Sequence, residues 1–386
     1  MTRTLTPASA ALLALLLVLL CPAPALADTG LGTPGVTEAR AWIVEDSTGR
    51  VLAESNADAA FAPASITKVM TAMVALDAGL PMDTEVAMPA HPEDGWEAAQ
   101  VAGYAVGETS TLEDMLEVLL VYSANDAGYA IAEKVAGSQD AFADLMNEKA
   151  AQIGMTRTTF KNPHGLEEDG HESCARDLAA MGRYALTHYP FIARMVRTHA
   201  VTVPVNGEQR TFYSTDELMP VYSPLIGIKT GKVEAGTTFL GAARKDGLTL
   251  YTCVLGCATD WGRFEDTRAM MEWAFDGATR LTLADPDRTL ETLPFAYRFG
   301  LSVSVRAQAA VTGLLWPDGT ECSYTRVALS RDQLGIPGEP AGACLWRQGD
   351  RIVGACAYVV DSVVSPDAAW SSDPAAPPLP LQRKAA

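Results

Sequence analysis

The chain has 386 residues, and its 47 Asp and Glu against 29 Lys and Arg leave a formal net charge of −18. That balance excludes nucleic acid or an anionic surface as a partner drawn in by general positive potential, so any recognition of an anion has to be local. The length exceeds what one hydrophobic core usually holds, and two domains are expected.

Residues 1–27 read as a secretory signal: Arg3, an apolar run from Ala10 to Leu20, then the small-residue pattern Ala25-Leu26-Ala27. The run is shorter than the roughly 20 residues of a comfortable membrane span. Export of the mature chain to an extracytoplasmic site is the expectation, and it permits disulfides. Beyond Cys21, three cysteines (Cys174, Cys253, Cys257) fall in the first region and three (Cys322, Cys344, Cys356) in the last. They cannot all pair within a region, so buried thiols are expected. No His stands near Cys253 and Cys257, and no metal site is expected.

"ARAWIVEDSTGRVLAESN" predicts two strands around a turn at Asp46-Ser47-Thr48-Gly49. "PASITKVMTAMVALDAGLP" follows as an apolar helix that stops at Gly79 and Pro81. From Leu112 to Leu186 the period is mostly helical, with "FKNPHGLEEDGHES" as an interrupting loop. "TTFLGAARKDGLTLYTCVLG" predicts a second hairpin turning at Lys245-Asp246-Gly247, and "WGRFEDTRAMMEWAFDGAT" a helix with Phe264, Met271 and Phe275 on one side. Strands at both ends with helices between them imply an α+β domain over 36–282: one antiparallel sheet built from both termini, plus a helical lobe. Residues 283–363 alternate as strands do and predict a small all-β domain, whereas the Pro/Ala-rich 364–386 predicts a disordered tail.

The chemistry starts with Ser65 and Lys68, which share one face of a helix. A Lys among Val69, Met70, Ala72 and Met73 is desolvated, which lowers its pKa and makes it a base able to activate the Ser65 hydroxyl. By itself S-x-x-K also describes a capping Ser with a snorkelling Lys. Two further patterns change the weight: Ser123-Ala124-Asn125 after a helical run, and Lys229-Thr230-Gly231 on a strand that opens a hairpin. In that order the three patterns are the signature of penicillin-binding proteins and class A β-lactamases.

The sequence resembles the low-molecular-mass penicillin-binding proteins, the serine D-alanyl-D-alanine carboxypeptidases. The likeness covers most of 36–280, carried by "TGRVLAESNADAAFAPASITKVMTA", "SANDAGYAIAE", "FKNPHGL", "ARDLA" and "GIKTG", and "RQGDRIVGACAYVV" resembles the family's second, β-rich domain. The resemblance implies the penicilloyl-serine transferase fold (β-lactamase/transpeptidase-like) and removal of the terminal D-Ala from peptidoglycan stem pentapeptides ending in D-Ala-D-Ala, with no cofactor. It further implies acylation of Ser65 by β-lactams, Lys68 as its base, Ser123 as proton relay to the leaving amine, and Asn125 holding the peptide amide. Lys229 and Thr230 would bind the terminal carboxylate, Gly231 would let the substrate lie close, and the backbone N–H groups of Ser65 and Lys232 would form the oxyanion hole.

Three positions depart from the family's habit: Lys232 where an aromatic or His is frequent, Val233 where Thr is, and Asp216 where Asn is. Many relatives also end in an amphipathic membrane-surface helix, of which "SSDPAAPPLPLQRKAA" shows no sign. A class A-like β-lactamase needs a Glu in an E-x-x-L-N setting to activate the deacylating water, and none lies between Ser123 and Lys229. An endopeptidase on D-alanyl cross-links would use identical catalytic residues, and a silent wall-binding protein is the remaining alternative. His164 reads as a turn-shaping loop residue, Glu167 and Glu168 as a solvated face, and Asp177 as a helix-start residue. The sequence is silent on oligomeric state.

Overall fold

The computed structural model describes residues 33–90, 99–294, 302–316, 321–328, 336–349 and 351–364. The expected leader at 1–27 and the tail beyond Val364 lie outside them. The chain divides into two compact units, 33–276 and the part from Gly277 onward.

In the first unit, β1 (Ala41–Asp46) and β2 (Val51–Ser55) form the expected hairpin, with Gly49 at φ 83° in its turn. A short 3-10 turn, Ala64–Ile66, runs straight into α1 (Thr67–Asp77). Every residue of α1 from Thr67 to Ala75 is buried, which makes it the central helix of the unit. Gly79 follows its end at φ 67°, its N–H donating to the Leu76 carbonyl. Two short strands unforeseen in the sequence, β3 (Glu85–Ala87) and β4 (Thr109–Thr111), pair ahead of α2 (Leu112–Val121). The N-cap of α2 is Thr111, whose side chain accepts from the Asp114 N–H.

The helical lobe continues with α3 (Asn125–Ala136), α4 (Gln139–Ile153), α5 (Ala175–His188) and the short α6 (Pro190–Met195). Gly137 and Gly154, both at positive φ, end α3 and α4, and the Ser138 hydroxyl caps α4. Lys149 of α4 ties three helices together: its Nζ is 2.8 Å from Asp77 of α1 and lies over the rings of Tyr184 and Tyr189. A second unforeseen hairpin, β5 (Ala200–Val205) with β6 (Glu208–Tyr213), precedes β7 (Leu225–Val233), β8 (Gly236–Lys245) and β9 (Leu248–Cys257).

The main sheet runs β2-β1-β9-β8-β7, antiparallel throughout. Strands from both ends of the unit thus meet at the β1–β9 pair, where Ile43 faces Cys253. The turn between β8 and β9 has Asp246 and Gly247 both at positive φ, the geometry that two-residue hairpins favour. Helix α7 (Gly262–Gly277) buries Phe264, Met271 and Phe275 as its pattern predicts. Its Asp266 accepts four bonds from the chain entering the unit: Thr37 N–H (2.7 Å) and hydroxyl (3.0 Å), Glu38 N–H (2.9 Å) and Ala39 N–H (2.7 Å).

Among its described residues the second unit is built of strands. It comprises β10 (Thr279–Ala284), β11 (Thr289–Pro294), β12 (Ser302–Ala307), β13 (Val311–Leu315), β14 (Cys322–Ala328), β15 (Pro340–Gln348) and β16 (Arg351–Val364). β10 pairs with β13, and the others form a sheet in the order β11-β12-β16-β15-β14. The boundary read from sequence at 282/283 falls inside β10, whose pairing with β13 ties it to the second unit. Val303, Val305, Trp346, Tyr358 and Val360 make its core.

All six described cysteines are thiols, and Cys174, Cys253, Cys257 and Cys344 are buried. Among the described residues no helix is long and apolar enough to cross a membrane, and no group of three metal-ligating side chains converges.

Candidate active site

Ser65 sits in the 3-10 turn that opens α1 rather than on the α-helix itself, half-buried, with Lys68 one turn on. Lys68 is fully buried. Its Nζ is 2.8 Å from Ser65 Oγ, 2.6 Å from Asn125 Oδ1 and 2.5 Å from the His164 carbonyl oxygen. Burial, reinforced by the charge of Lys229, holds its ammonium well below the ordinary lysine value against the opposing charge of Asp126. The amide oxygen of Asn125 and the carbonyl of His164 only accept; when the amine is neutral they take its two N–H groups, which leaves its lone pair for the Ser65 hydroxyl proton.

The loop carrying His164 is held from both sides. Thr71 of α1 donates to the Pro163 carbonyl (2.6 Å), and the Gly165 N–H donates to Asn162 Oδ1 (2.7 Å). Gly165 is at φ 88°, and a Cβ there would stand 2.0 Å from the Ala64 carbonyl oxygen. Only glycine allows the loop to lie on the turn that bears Ser65. His164 itself is buried, and desolvation brings its ring down to about 3, with Lys68 and His171 adding to the effect. Its side chain is a poor base at neutral pH; its Nδ1 accepts from the Leu166 N–H, as a turn-shaping residue would. Glu167 is exposed, whereas Glu168 also accepts from Asn162. Asp177, in the first turn of α5, accepts from the Arg157 N–H and the Thr158 hydroxyl, both at 2.8 Å.

Ser123 is buried between α2 and α3 at φ 74°, a left-handed conformation, and Asn125 begins α3. On the sheet side, β7 packs its motif against the Ser65 turn. A Cβ on Gly231 would meet Thr238 Oγ1 at 2.4 Å, Ala64 Cβ at 2.8 Å and Ser65 N at 3.2 Å. The Thr230 hydroxyl is 2.6 Å from that of Thr215. Lys229 is buried, donates to the Thr230 carbonyl at 3.1 Å, and is brought down to about 7 by desolvation and then by the charge of Arg263, with Asp216 acting against them. The Lys232 side chain is exposed and paired with Asp260 at 2.7 Å, so only its backbone is committed to the strand.

Three contributors were given no part in the site by the sequence reading, although Asp216 was singled out there as a departure from the family's habit. Arg263 of α7 is buried and donates to the Gly231 carbonyl (2.9 Å), adding a second cation beside Lys229. Asp216 accepts at Oδ1 from the Leu218 and Met219 N–H groups, while its buried Oδ2 has no hydrogen-bond partner among the described residues. Burial pushes its carboxyl up to about 6. The third is the His164 carbonyl, a main-chain group that no residue pattern can announce.

A pocket with a desolvated amine on a serine hydroxyl, and a buried guanidinium and a second buried amine nearby, can activate that hydroxyl toward a carbonyl whose neighbour bears a carboxylate. Comparisons with known proteins agree with this arrangement. The sequence profile of the peptidase S11 family, described as D-alanyl-D-alanine carboxypeptidase, matches residues 29–259. The chain is 34% identical over 245 residues to the D-alanyl-D-alanine carboxypeptidase DacF of Bacillus subtilis, covering 61% of this chain and 61% of that protein. It is 33% identical over 291 residues to DacC of Escherichia coli, covering 72% of this chain and 70% of that protein. In the first of these, the match spans less than two thirds of the relative's length.

Among solved structures, a D-alanyl-D-alanine carboxypeptidase of Mycobacterium tuberculosis matches with TM-score 0.60 and 31% identity, over 66% of this chain and 96% of that one. Penicillin-binding protein 6B of Escherichia coli matches with TM-score 0.65 at 23% identity, over 87% of this chain and 99% of that one, a likeness of fold. With the family profile spanning more than half of its length, the chain belongs to the peptidase S11 family of D-alanyl-D-alanine carboxypeptidases.

Proposed function

We propose that the protein is a serine-type D-Ala-D-Ala carboxypeptidase that removes the terminal D-Ala of peptidoglycan stem pentapeptides through an acyl-enzyme on Ser65, and that penicillins acylate the same hydroxyl. The observation that carries this reading is the buried Lys68 amine, 2.8 Å from Ser65 Oγ, with its other directions taken by two acceptors. Lys68 takes the hydroxyl proton as Ser65 attacks the penultimate D-Ala carbonyl, and Ser123 passes a proton to the departing amine. The N–H groups of Ser65 and Lys232 receive the developing oxyanion, a contribution of about 3 kcal/mol per donor in comparable sites. Lys229, with Arg263 behind Gly231, supplies the positive potential for the terminal carboxylate, and Thr230 a hydroxyl. Asn125 serves twice, orienting Lys68 through Oδ1 and offering its amide N–H₂ to the substrate peptide.

The activity is placed outside the cytoplasm, after cleavage of the leader, on a substrate of the cell wall. The β-rich unit, in this reading, holds the peptidase unit at a distance from the membrane or binds partner proteins.

Incubation of the mature protein with a fluorescent penicillin, followed by peptide mass spectrometry, tests the nucleophile. A long-lived adduct on Ser65 is expected, together with D-Ala release from a pentapeptide. Folded protein that takes no label would refute the reading, and rapid turnover of the adduct would make the protein a β-lactamase instead.

A further inference from the structure

Ser123 is held in a left-handed conformation that a serine does not choose by itself; the Ala124 N–H closes α2 by donating to the Val118 carbonyl (3.1 Å), and further groups that hold this stretch lie outside the three motifs. Gln100 grips the chain on both sides of Ser123. Its side-chain Nε2 donates to the Tyr122 carbonyl, and its own carbonyl accepts from the Asn125 N–H at 2.8 Å. The segment that presents Gln100 is fixed in turn by Asp126, the residue after Asn125. Asp126 Oδ1 accepts from the Ala102 (2.9 Å) and Ala127 (3.0 Å) N–H groups, and Oδ2 from those of Gly103 (2.8 Å) and Tyr104 (3.3 Å). The β5–β6 hairpin closes the other side of this segment: Asn206 donates to the Gly103 carbonyl (2.8 Å) and Arg210 to the Ala102 carbonyl (2.9 Å).

The arrangement is a closed loop of bonds: Asp126 fixes residues 102–104, these present Gln100, and Gln100 fixes residues 122 and 125. Neither Gln100 nor Asp126 bonds to Ser65 or Lys68 directly. Both act on the one stretch of backbone that carries a hydroxyl and an amide into the cleft.

We propose that Gln100 and Asp126 are positioning residues for acylation, a clamp that keeps Ser123 left-handed and so sets its hydroxyl where it can relay a proton. Without the grip on the Tyr122 carbonyl, residues 122–124 keep only the Ala124 N–H bond to the Val118 carbonyl and the Asn125 N–H bond to the Gln100 carbonyl, and the Ser123 hydroxyl is less closely held in its place. The proposal rests on the reading of Ser123 as a relay to the leaving amine, and its test separates the two.

The test is a double-mutant cycle on the rate of Ser65 acylation by a fluorescent penicillin. Gln100→Met keeps the length of the side chain and removes its donor; it is measured in the native protein and in a Ser123→Ala background. Thermal midpoints verify that each variant is folded, with Gln100→Ala as the replacement if the Met variant is not. A loss of about 10-fold is expected with Ser123 present, the order produced by a misplaced relay group, and less than about twofold in the Ser123→Ala background. Equal losses in both backgrounds, or no loss in the native one, would overturn the clamp.

Amide hydrogen exchange supplies a readout independent of catalysis. The Asn125 amide is expected to exchange faster in Gln100→Met than in the native protein at an unchanged thermal midpoint, and unaltered exchange would also overturn the clamp. If the native protein takes no label, the acyl-enzyme reading fails and the exchange result alone decides the clamp.

Discussion

Gly165→Ala is the substitution in which backbone geometry translates most directly into rate. The new methyl group would stand 2.0 Å from the Ala64 carbonyl oxygen, 2.5 Å from its carbon and 3.0 Å from Ser65 N, all main-chain atoms of the turn that carries Ser65. No side-chain rotation relieves such an overlap, so the loop and the Ser65 turn must separate by roughly an ångström, a displacement that costs about 10²-fold when it falls on reacting groups. The same separation pulls the His164 carbonyl from Lys68 and loosens two sides of the base at once. Left-handed backbone adds about 1 kcal/mol of strain for Ala, and the forced repacking a further ~1–3 kcal/mol of stability.

Gly137→Ala separates the two effects, because Gly137 is also at positive φ (78°) but a Cβ there meets nothing within 4 Å. It should lose only about 1 kcal/mol and acylate as the native enzyme does. The assay is the second-order rate of penicillin acylation beside a urea unfolding curve for each protein. Acylation by Gly165→Ala within threefold of native, in a folded protein, would refute the argument that the two backbones are locked together.

Lys229→Ala should reduce turnover of a carboxylate-terminated peptide by ~30-fold or more, the scale of losing one partner of a buried charge pair. It should also move the acidic limb of the acylation–pH profile upward, because Lys229 depresses Lys68 and its removal lets Lys68 keep its proton to higher pH; an unmoved limb would contradict that coupling. Burial brings His164 to about 3 and His171 to about 4, from an ordinary 6.5. Stability is therefore complete above pH 6.5 and falls as the pH drops from there toward 4, since the unfolded chain binds protons that the folded chain refuses. The slope is about 1.4 kcal/mol per pH unit for each ring. Thermal melts between pH 7 and pH 5 measure that slope, and His171→Asn should remove its share of it. Asp266→Ala abandons three backbone N–H groups and should cost about 2–4 kcal/mol in urea unfolding; a loss below ~1 kcal/mol would mean that water replaces the carboxylate at little penalty.

Much of the peptidase unit was legible because its signals are local. The paired stretches of β8 and β9, the Asp246-Gly247 turn between them and the Gly79 stop state their own geometry, and α1 announces burial through a run that is almost wholly apolar. Ser65, Lys68, Ser123, Asn125, Lys229, Thr230 and Gly231 could be named because each sits in a short motif of fixed order. The β3–β4 hairpin was missed because strands of three residues carry too little period to be told from loop, and β5–β6 because "EQRTFY" gives the alternating "AVTVPV" of β5 no recognisable partner. Arg263 reads in sequence as one more polar residue of an amphipathic helix, and only the packing of α7 behind β7 delivers it to Gly231. The cavity around Lys68 was foreseen as apolar crowding, while its second acceptor belongs to a backbone nearly a hundred positions away in the chain.

That acceptor bears on how the enzyme can change. A side-chain ligand is tested by substitution at its own position, and a scan that truncates each residue in turn would reveal Asn125 at once. The carbonyl of His164 survives every substitution at 164. It can be withdrawn only by moving the loop, through Thr71, Asn162 or Gly165, none of which hydrogen-bonds the Lys68 amine. Lys68 is thus partly governed by residues that would score as structural in any survey of the site, and drift in the "NPHG" segment can retune its proton affinity while the three motifs stay intact. A search for natural variants with altered pH response would do well to begin in that loop and not in the motifs.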